Sequence, residues 1–247
     1  MQNSATKFFG FAQNIACFDS TWHGFCVIFG ISKMKKKVFL SMFLVFSAHS
    51  ILAQNQAKKW YFGNGAALDF MTITPTSLAG NATTLTVQEG TASMSDVNGN
   101  LLFYTDGMTI WNQFNLVMPN GSGIQGSASS TQSSIILKQP GNPNLYYVFT
   151  QGQVPWGNPY PGLRYSVIDM SLASGTGSVI IKNVLLRDSS VEKIAAIRHC
   201  NGTGYWVMSH DWGTSKFRAY LLTAAGVNTV PVISTAGVIH DVSNPQT

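Results

Sequence analysis

The sequence predicts an all-β fold, a partial β-propeller of four-stranded antiparallel blades. Three observations support this prediction. Of the 247 residues, 10% are charged and 23 are glycine, which suits a turn-rich β-protein because soluble domains average roughly 25% charged residues. Short apolar segments alternate with Asn/Gly turns along the chain. A unit of four such segments recurs at about 40 to 50 residues, the repeat length of a propeller blade.

The chain begins with segments that we do not assign to the domain. Lysines 35–37 follow Met34 as a positive n-region, and residues 38–46 form an apolar h-region. This region is too short to cross roughly 30 Å of hydrocarbon as a helix. We therefore predict a secretory signal peptide over residues 34–53, cleaved between Ala53 and Gln54. A buried apolar strand is the alternative interpretation.

Residues 1–33 precede this signal, which is the wrong order for a signal peptide. We interpret them as a doubtful upstream segment and Met34 as the true start, with an uncleaved anchor as the alternative. Cleavage would remove Cys17 and Cys26 and leave Cys200 as the one cysteine of the mature chain. We therefore expect packing, and not disulfides, to stabilise the domain.

The formal net charge of +5 belongs to the leader. Five of the fifteen basic residues and one of the ten acidic residues precede residue 54, so the remainder carries ten basic and nine acidic residues. This balance provides no basic surface for a phosphate backbone. We expect no nucleic-acid partner and no stable membrane span after the signal is removed.

The predicted domain covers residues 54–247. It opens with a pair of short strands around Asn64-Gly65, followed by a Thr-rich segment over residues 71–84. Three blades follow, and we place them near residues 90–120, 130–187 and 192–235. A single meander cannot bury its own apolar face, so each blade needs a neighbour of the same kind.

Within the first blade, Asn98-Gly99 predicts a two-residue turn with both residues at positive φ, and Asp106-Gly107 predicts a second turn. The aromatic strands of the three blades end at Thr105, Thr150 and Ser209, at intervals of 45 and 59 residues. A β-sandwich also contains regular turns, but it has no reason to repeat a whole meander. The repeat therefore favours the propeller.

Several motifs occur in an order that is characteristic of one family. They are Trp60-Tyr-Phe-Gly-Asn, residues 95–107 with Ile110-Trp-Asn, Val117-Met-Pro-Asn-Gly, Ser130-Thr-Gln, Gln139-Pro-Gly-Asn-Pro, residues 163–170, and Arg198-His followed by Trp206. In this order they resemble the N-terminal propeller of gliding-motility-associated surface proteins, cargo of the type IX secretion system with a type B sorting domain. The resemblance covers residues 60–240. It implies a protein exported to the cell surface.

The family's later blades, adhesin-like modules and C-terminal sorting domain have no counterpart before Thr247. Three blades and an opening pair of strands cannot readily close a ring of six or seven. We therefore expect an incomplete ring, and we interpret the chain as a fragment of a larger protein. The missing blades of that intact protein are the expected partners of the fragment.

Asp96-x-Asn98-x-Asn100 imitates the start of a calcium loop. The sixth position is Leu101 where such a loop needs glycine, and the twelfth is Gly107 where it needs glutamate. We expect these residues to form a hairpin turn and assign no metal site and no cofactor.

Candidates for acid-base or metal chemistry are few. They are His199, His210, His240, Asp211 and Glu192, and none has helical ligand spacing. They could meet only through folding, and solvent-facing or structural histidines are the preferred interpretation. Cys200 beside His199 suggests a thiol nucleophile, with a structural cysteine as the alternative.

Glycoside hydrolysis needs two carboxylates. Asp106, Asp169 and Asp211 could converge at one face of a ring, although sequence distance does not decide this. A sugar-stacking platform could involve Trp156, Tyr160 and Trp212, yet such residues more often anchor loops.

No catalytic residue is assigned. The leading hypothesis is a non-enzymatic, secreted or cell-surface recognition or adhesion propeller that binds a polysaccharide or protein ligand through its loops. A carbohydrate-binding protein or carbohydrate-active enzyme on the same scaffold is the alternative. A fragment without function, prone to aggregate through an edge strand, is the third interpretation.

Overall fold

The structure is a computed structural model that describes residues 52–63, 65–78, 89–153 and 162–240. The described residues form fifteen β-strands and two short 3-10 helices, with no α-helix among them. The strands are β1 (Lys59–Tyr61), β2 (Ala67–Asp69), β3 (Thr76–Ser77), β4 (Ala92–Ser95), β5 (Leu101–Thr105), β6 (Thr109–Asn112), β7 (Val117–Ser122), β8 (Ser134–Lys138), β9 (Leu145–Gln151), β10 (Leu163–Asp169), β11 (Ser178–Arg187), β12 (Ser190–Arg198), β13 (Tyr205–Asp211), β14 (Lys216–Thr223) and β15 (Gly226–Thr235).

Every strand belongs to an antiparallel meander. Blade A contains β1–β3, blade B β4–β7, blade C β8–β11 and blade D β12–β15. The all-β class and the three four-stranded blades are therefore confirmed. The opening pair of strands has a third, two-residue member, because Thr76 and Ser77 pair with Asp69 and Leu68.

The predicted leader lies mostly outside the described residues, as do Asn64, Trp156 and Tyr160. One 3-10 helix, Leu52–Ala57, begins before the predicted cleavage position and ends after it. The described part of the chain contains no helix that is long and apolar enough to cross a membrane.

The blades lie side by side with their first strands adjacent. Ser93 Oγ of β4 donates to Lys59 O of β1 at 2.6 Å, and Gln132 N, just before β8, donates to Glu192 O of β12 at 3.2 Å. The last strands β7 and β11 are joined where Lys182 Nζ donates to Ser122 O at 3.0 Å. This is a propeller arrangement, and the described blades do not close a ring.

Three apolar layers between neighbouring blades form the core. Burying each large side chain in such a layer stabilises the fold by roughly 1.5–3 kcal/mol. The layer between A and B contains Tyr61, Ala67, Leu101, Tyr104 and Trp111. The layer between B and C contains Phe103, Ile110, Met118, Ile124, Ile136, Tyr146, Val148, Ile168, Met170 and Val179. The layer between C and D contains Tyr147, Phe149, Leu163, Val167, Ile194, Val207, Tyr220 and Leu222.

The turn between β4 and β5 corrects one prediction. Gly99 has positive φ (85°) but Asn98 does not, so the turn is not the expected two-residue type. The Asp96 carboxylate accepts hydrogen bonds from Asn98 N and Asn100 N, both at 2.8 Å, which stabilises a longer turn. The register shifts between Met94 and Ser95 as a result.

The propeller has two faces. The hairpin face carries the turns between the first and second strands of blades B, C and D, residues 96–100, 139–144 and 199–204. The linker face carries the connections between blades, residues 123–133 and 188–189. Successive strands run in opposite directions, so a residue at a strand end is assigned to one face by strand order alone.

Candidate functional site

A groove on the hairpin face lies between blades C and D. Its volume is about 490 Å³, and its walls are the β8–β9 and β12–β13 turns. It is lined by Lys138, Gln139, Pro140, Gly141, Asn142, Pro143, Arg198, Gly202, Thr203, Gly204 and Tyr205.

The wall from blade C is shaped by the Asn142 side chain. Asn142 Oδ1 accepts hydrogen bonds from Asn144 N at 2.9 Å and Leu145 N at 3.3 Å, a local bond that fixes the turn. Gln139 Nε2 donates to Ala224 O of blade D at 2.7 Å. The two blades are thereby held at a set separation on either side of the groove.

The wall from blade D is shaped by His199 and Arg198. Asn201 N donates to His199 Nδ1 at 3.1 Å, and His199 N donates to Gly204 O at 2.8 Å. Arg198 Nη2 donates to Gly202 O at 2.8 Å. His199 is therefore a turn residue, and the Arg198 guanidinium is held at the wall.

The groove is positively charged. Lys138 and Arg198 are its two charged lining residues, and no acidic residue lines it. The Lys138 ammonium lies 5.9 Å from the centroid of the Tyr146 ring, over its face. Two cations and exposed peptide groups suit a polar ligand that carries anionic groups.

A charge cluster lies on the linker face between the same two blades. Asp211, whose side chain is 1% exposed, accepts hydrogen bonds from Arg218 Nε at 2.8 Å and from Arg187 Nε at 3.0 Å. The hydrogen bond that Arg218 donates to Asp211 is the main reason that the pKa of Arg218 is raised. Both Asp211 oxygens lie within 3.0 Å of Arg218 Nε, so both oxygens of the carboxylate already accept hydrogen bonds from arginine.

The other acids of the linker face also bind protein groups. The buried Glu192 accepts hydrogen bonds from Thr131 N at 3.0 Å and Thr131 Oγ1 at 3.3 Å, which ties the B–C linker to β12. Asp106 Oδ1 accepts from Met108 N and Thr109 N, both at 2.7 Å. Burial raises the pKa of Asp106 and outweighs these hydrogen bonds, which lower it.

The question of whether Asp106, Asp169 and Asp211 converge is answered by the strand order, which places Asp169 on a different face from the other two. Asp106 and Asp211 follow or end second strands and lie on the linker face, whereas Asp169 ends the third strand β10 and lies on the hairpin face. There Asp169 Oδ1 accepts from Ser171 N at 2.8 Å and Ser171 Oγ at 2.6 Å. Asp169 is therefore a turn residue.

Folding brings two of the three candidate histidines together. The rings of His210 and His240 are 4.9 Å apart on the linker face, while His199 lies on the hairpin face. Desolvation lowers the pKa of His210, the nearby His240 adds to this, and Asp211 opposes it. Among the described residues no three His, Cys, Asp or Glu side chains are placed to hold a metal ion.

Cys200 corrects the expectation that the domain has no disulfide. It is disulfide-bonded, so it does not supply the thiolate that the nucleophile hypothesis requires. The other two cysteines of the sequence, Cys17 and Cys26, lie outside the described residues.

Sequence reasoning missed Lys138 and Arg198. Each is the last residue of its blade's first strand and comes directly before an Asn/Gly turn. That shared position was a signal for the pair, because equivalent residues of neighbouring blades lie side by side. Comparison of the chain with protein-family models, curated proteins and solved structures finds no match.

Proposed function

We propose that this protein is a non-enzymatic recognition domain that binds an anionic polysaccharide in the groove of the hairpin face. The observation that carries the proposal is that the two charged residues lining the groove, Lys138 and Arg198, are both cations and that no acidic residue lines it. Cations attract carboxylate or sulfate groups, and an arginine binds them with directional hydrogen bonds.

The state of the candidate carboxylates favours recognition over catalysis. Asp211 binds two arginines, Glu192 binds Thr131, and Asp169 binds Ser171. Hydrolysis of a glycosidic bond needs two carboxyl groups that face the same substrate.

The cellular setting is part of the proposal. The signal peptide over residues 34–53 and the ordered motifs of residues 60–240 support a secreted or cell-surface protein of the gliding-motility type. In that setting the groove would contact extracellular polymer during adhesion.

Binding to alginate tests the proposal, with neutral dextran of matched length as the control polymer. We expect the full chain to bind alginate with an affinity that falls as the salt concentration rises, and we expect no binding to dextran. Lys138→Gln and Arg198→Gln should each weaken binding by about tenfold, roughly 1.4 kcal/mol. Lys216→Gln, which changes an exposed lysine at the start of β14, is the matched control. Equal binding of both polymers, or unchanged binding by both groove variants, would contradict the proposal.

One observation favours the enzymatic alternative. The raised pKa of Asp106, caused by burial, is a property of general acids in glycoside hydrolysis. We expect no release of reducing ends from alginate or dextran. If hydrolysis occurs and Asp106→Asn abolishes it, the enzyme alternative replaces recognition.

A further inference from the structure

A cavity lies at the linker-face end of blade D, on the opposite face of the propeller from the groove. Its volume is about 450 Å³, a size at which proteins bind small molecules. No acidic residue lines it. Its apolar lining residues are Val191, Ile194, Ala195, Met208, Phe217 and Ala236.

The cavity lies beside a bulge at the start of β12. The register shifts between the paired residues Ser190 and Ile194, so that three residues of β12 lie opposite His210 alone. A bulge bends its strand and redirects the side chains next to it. The corresponding strand of blade C, β8, pairs with β9 without such a shift. The bulge therefore distinguishes this end of blade D from that of blade C.

Smaller side chains leave room at this end of blade D. Phe149 in β9 and Met208 in β13 each follow a valine that packs toward the preceding blade, so these two residues correspond. Ile135 pairs with Phe149, and Ala195 pairs with Met208. Blade D therefore has a methyl group and a flexible thioether where blade C has a branched chain and a ring.

His210 closes one side of the cavity. Its ring packs on Phe217 with centroids 4.5 Å apart and on His240 with centroids 4.9 Å apart. His210 is therefore part of the wall, and it is buried. The open side is formed by Gln132, Lys193 and Ala195, which are all exposed. A ligand would enter past these three residues.

The two polar side chains at the opening can both donate hydrogen bonds. Gln132 Oε1 accepts a hydrogen bond from Ile194 N at 3.4 Å, which orients the amide and leaves its Nε2 as a donor. Lys193 is a cation, and no salt bridge joins it to an acid in the described part of the chain. The neighbouring Glu192 binds Thr131. A carboxylate at the opening would therefore meet a complementary charge and an amide donor.

We propose that this cavity binds a small apolar carboxylic acid. Its hydrocarbon part lies against Val191, Met208 and Phe217, and its carboxylate binds Lys193 and Gln132 at the opening. Removal of the hydrocarbon from water drives binding. The charge at the opening selects the acid over a neutral molecule of the same shape. This site is separate from the groove of the hairpin face and takes a different class of ligand.

Octanoate and 1-octanol test the proposal, because they share an alkyl chain and differ in the charge of the head group. Ligand-observed NMR titration of the full chain measures both affinities at about pH 8, where the carboxylic acid is ionised. We expect octanoate to bind about fivefold more tightly than octanol, the effect of an ion pair at a solvent-exposed site. Lys193→Gln should remove this preference and leave octanol binding unchanged.

A second variant tests the cavity itself. Ala195→Ile gives blade D the residue that blade C has at this position, so it should fill part of the cavity and weaken binding of both ligands by about fivefold. Ala195 is exposed on a strand, and isoleucine favours strands. The variant should therefore keep the wild-type circular dichroism.

Lys182→Gln, which changes an exposed lysine of β11 in blade C, is the matched control for the loss of a positive charge and should bind both ligands as the wild type does. A wild-type chain that does not bind octanoate would overturn the proposal. So would an unchanged preference for octanoate in Lys193→Gln, or unchanged affinities in Ala195→Ile.

Discussion

The ring of Tyr61 in blade A stacks on the ring of Tyr104 in blade B, with centroids 4.8 Å apart and planes 14° from parallel. Tyr104 also stacks on Trp111 of its own sheet at 5.4 Å, and its hydroxyl lies 3.1 Å from Asn115 Oδ1. Burial, together with Tyr61 and Asp106, raises the pKa of Tyr104. This column of rings is part of the apolar layer between the first two blades.

Tyr104→Ala should destabilise the domain by about 3–5 kcal/mol, because it leaves a cavity in a closely packed layer. Tyr104→Phe keeps the ring and loses only the hydrogen bond to Asn115, so it should cost about 0.5–1.5 kcal/mol. Urea unfolding followed by tryptophan fluorescence measures both. If the two variants lose equal stability, the stacking account is wrong.

Asp211→Asn should lower the free energy of unfolding by roughly 3–5 kcal/mol, because it removes one member of a buried charge cluster. Two arginine side chains would lose the carboxylate that binds them. Asp188→Asn is the matched control, since Asp188 also contacts Arg187 but is 71% exposed. Its cost should stay below about 1 kcal/mol. A small effect at Asp211 would show that the cluster contributes little.

The lowered pKa of His210 predicts a loss of stability in mild acid. Above its ordinary value of 6.5 His210 is neutral in both states and adds no pH dependence. Below that value the unfolded chain binds the proton first, so the free energy of unfolding should fall, by at most about 1.4 kcal/mol per pH unit for one proton.

Chemical denaturation between pH 5 and 8 measures this slope. The groups around His210 include His240 and Asp211, and Lys193 borders the same cavity. His210→Gln should remove the His210 share of the slope, while His240→Gln should leave most of it. An unchanged slope in His210→Gln would assign the pH dependence to other groups.

Two substitutions of Asn183 should destabilise the domain by different amounts. It has positive φ (63°) in β11, and its side chain accepts a hydrogen bond from Gln125 N and donates one to Gly123 O, both at 2.9 Å. Asn183→Gly removes these bonds between blades and keeps the backbone unstrained. Asn183→Ala adds a left-handed conformation that costs alanine about 1–2 kcal/mol more. The thermal unfolding temperature should be highest for the wild type, lower for Asn183→Gly and lowest for Asn183→Ala. A higher unfolding temperature for Asn183→Ala than for Asn183→Gly would contradict this explanation.

The blades could be predicted because turn chemistry is local. Asp96, Asn142 and Asn112 each accept backbone hydrogen bonds in their own turn, so short sequence segments specify where the strands end. What depends on distant residues could not be predicted. β12 begins at Ser190, two residues before the predicted start of its blade at residue 192, where Gln151 of blade C binds it.

The sequence pattern also did not predict which side chains of each strand point toward the preceding blade and which toward the following one. Thr105 was matched with Thr150 and Ser209, but Thr105 pairs with Ile110, which packs toward the following blade. Tyr104, one residue earlier, faces the preceding blade. The groove was missed for a related reason, since Lys138 and Arg198 are 60 residues apart and line one groove only when blades C and D pack together.

The side-by-side packing of like blades is most directly tested by nuclear Overhauser contacts between aromatic rings. The Tyr104–Trp111 contact within one blade serves as the internal control, because its rings are 5.4 Å apart. We predict additional cross-peaks for Tyr61–Tyr104 at 4.8 Å and for Phe103–Tyr146 at 5.6 Å, each joining two blades. A spectrum with the control cross-peak but neither of these contacts would contradict the propeller arrangement.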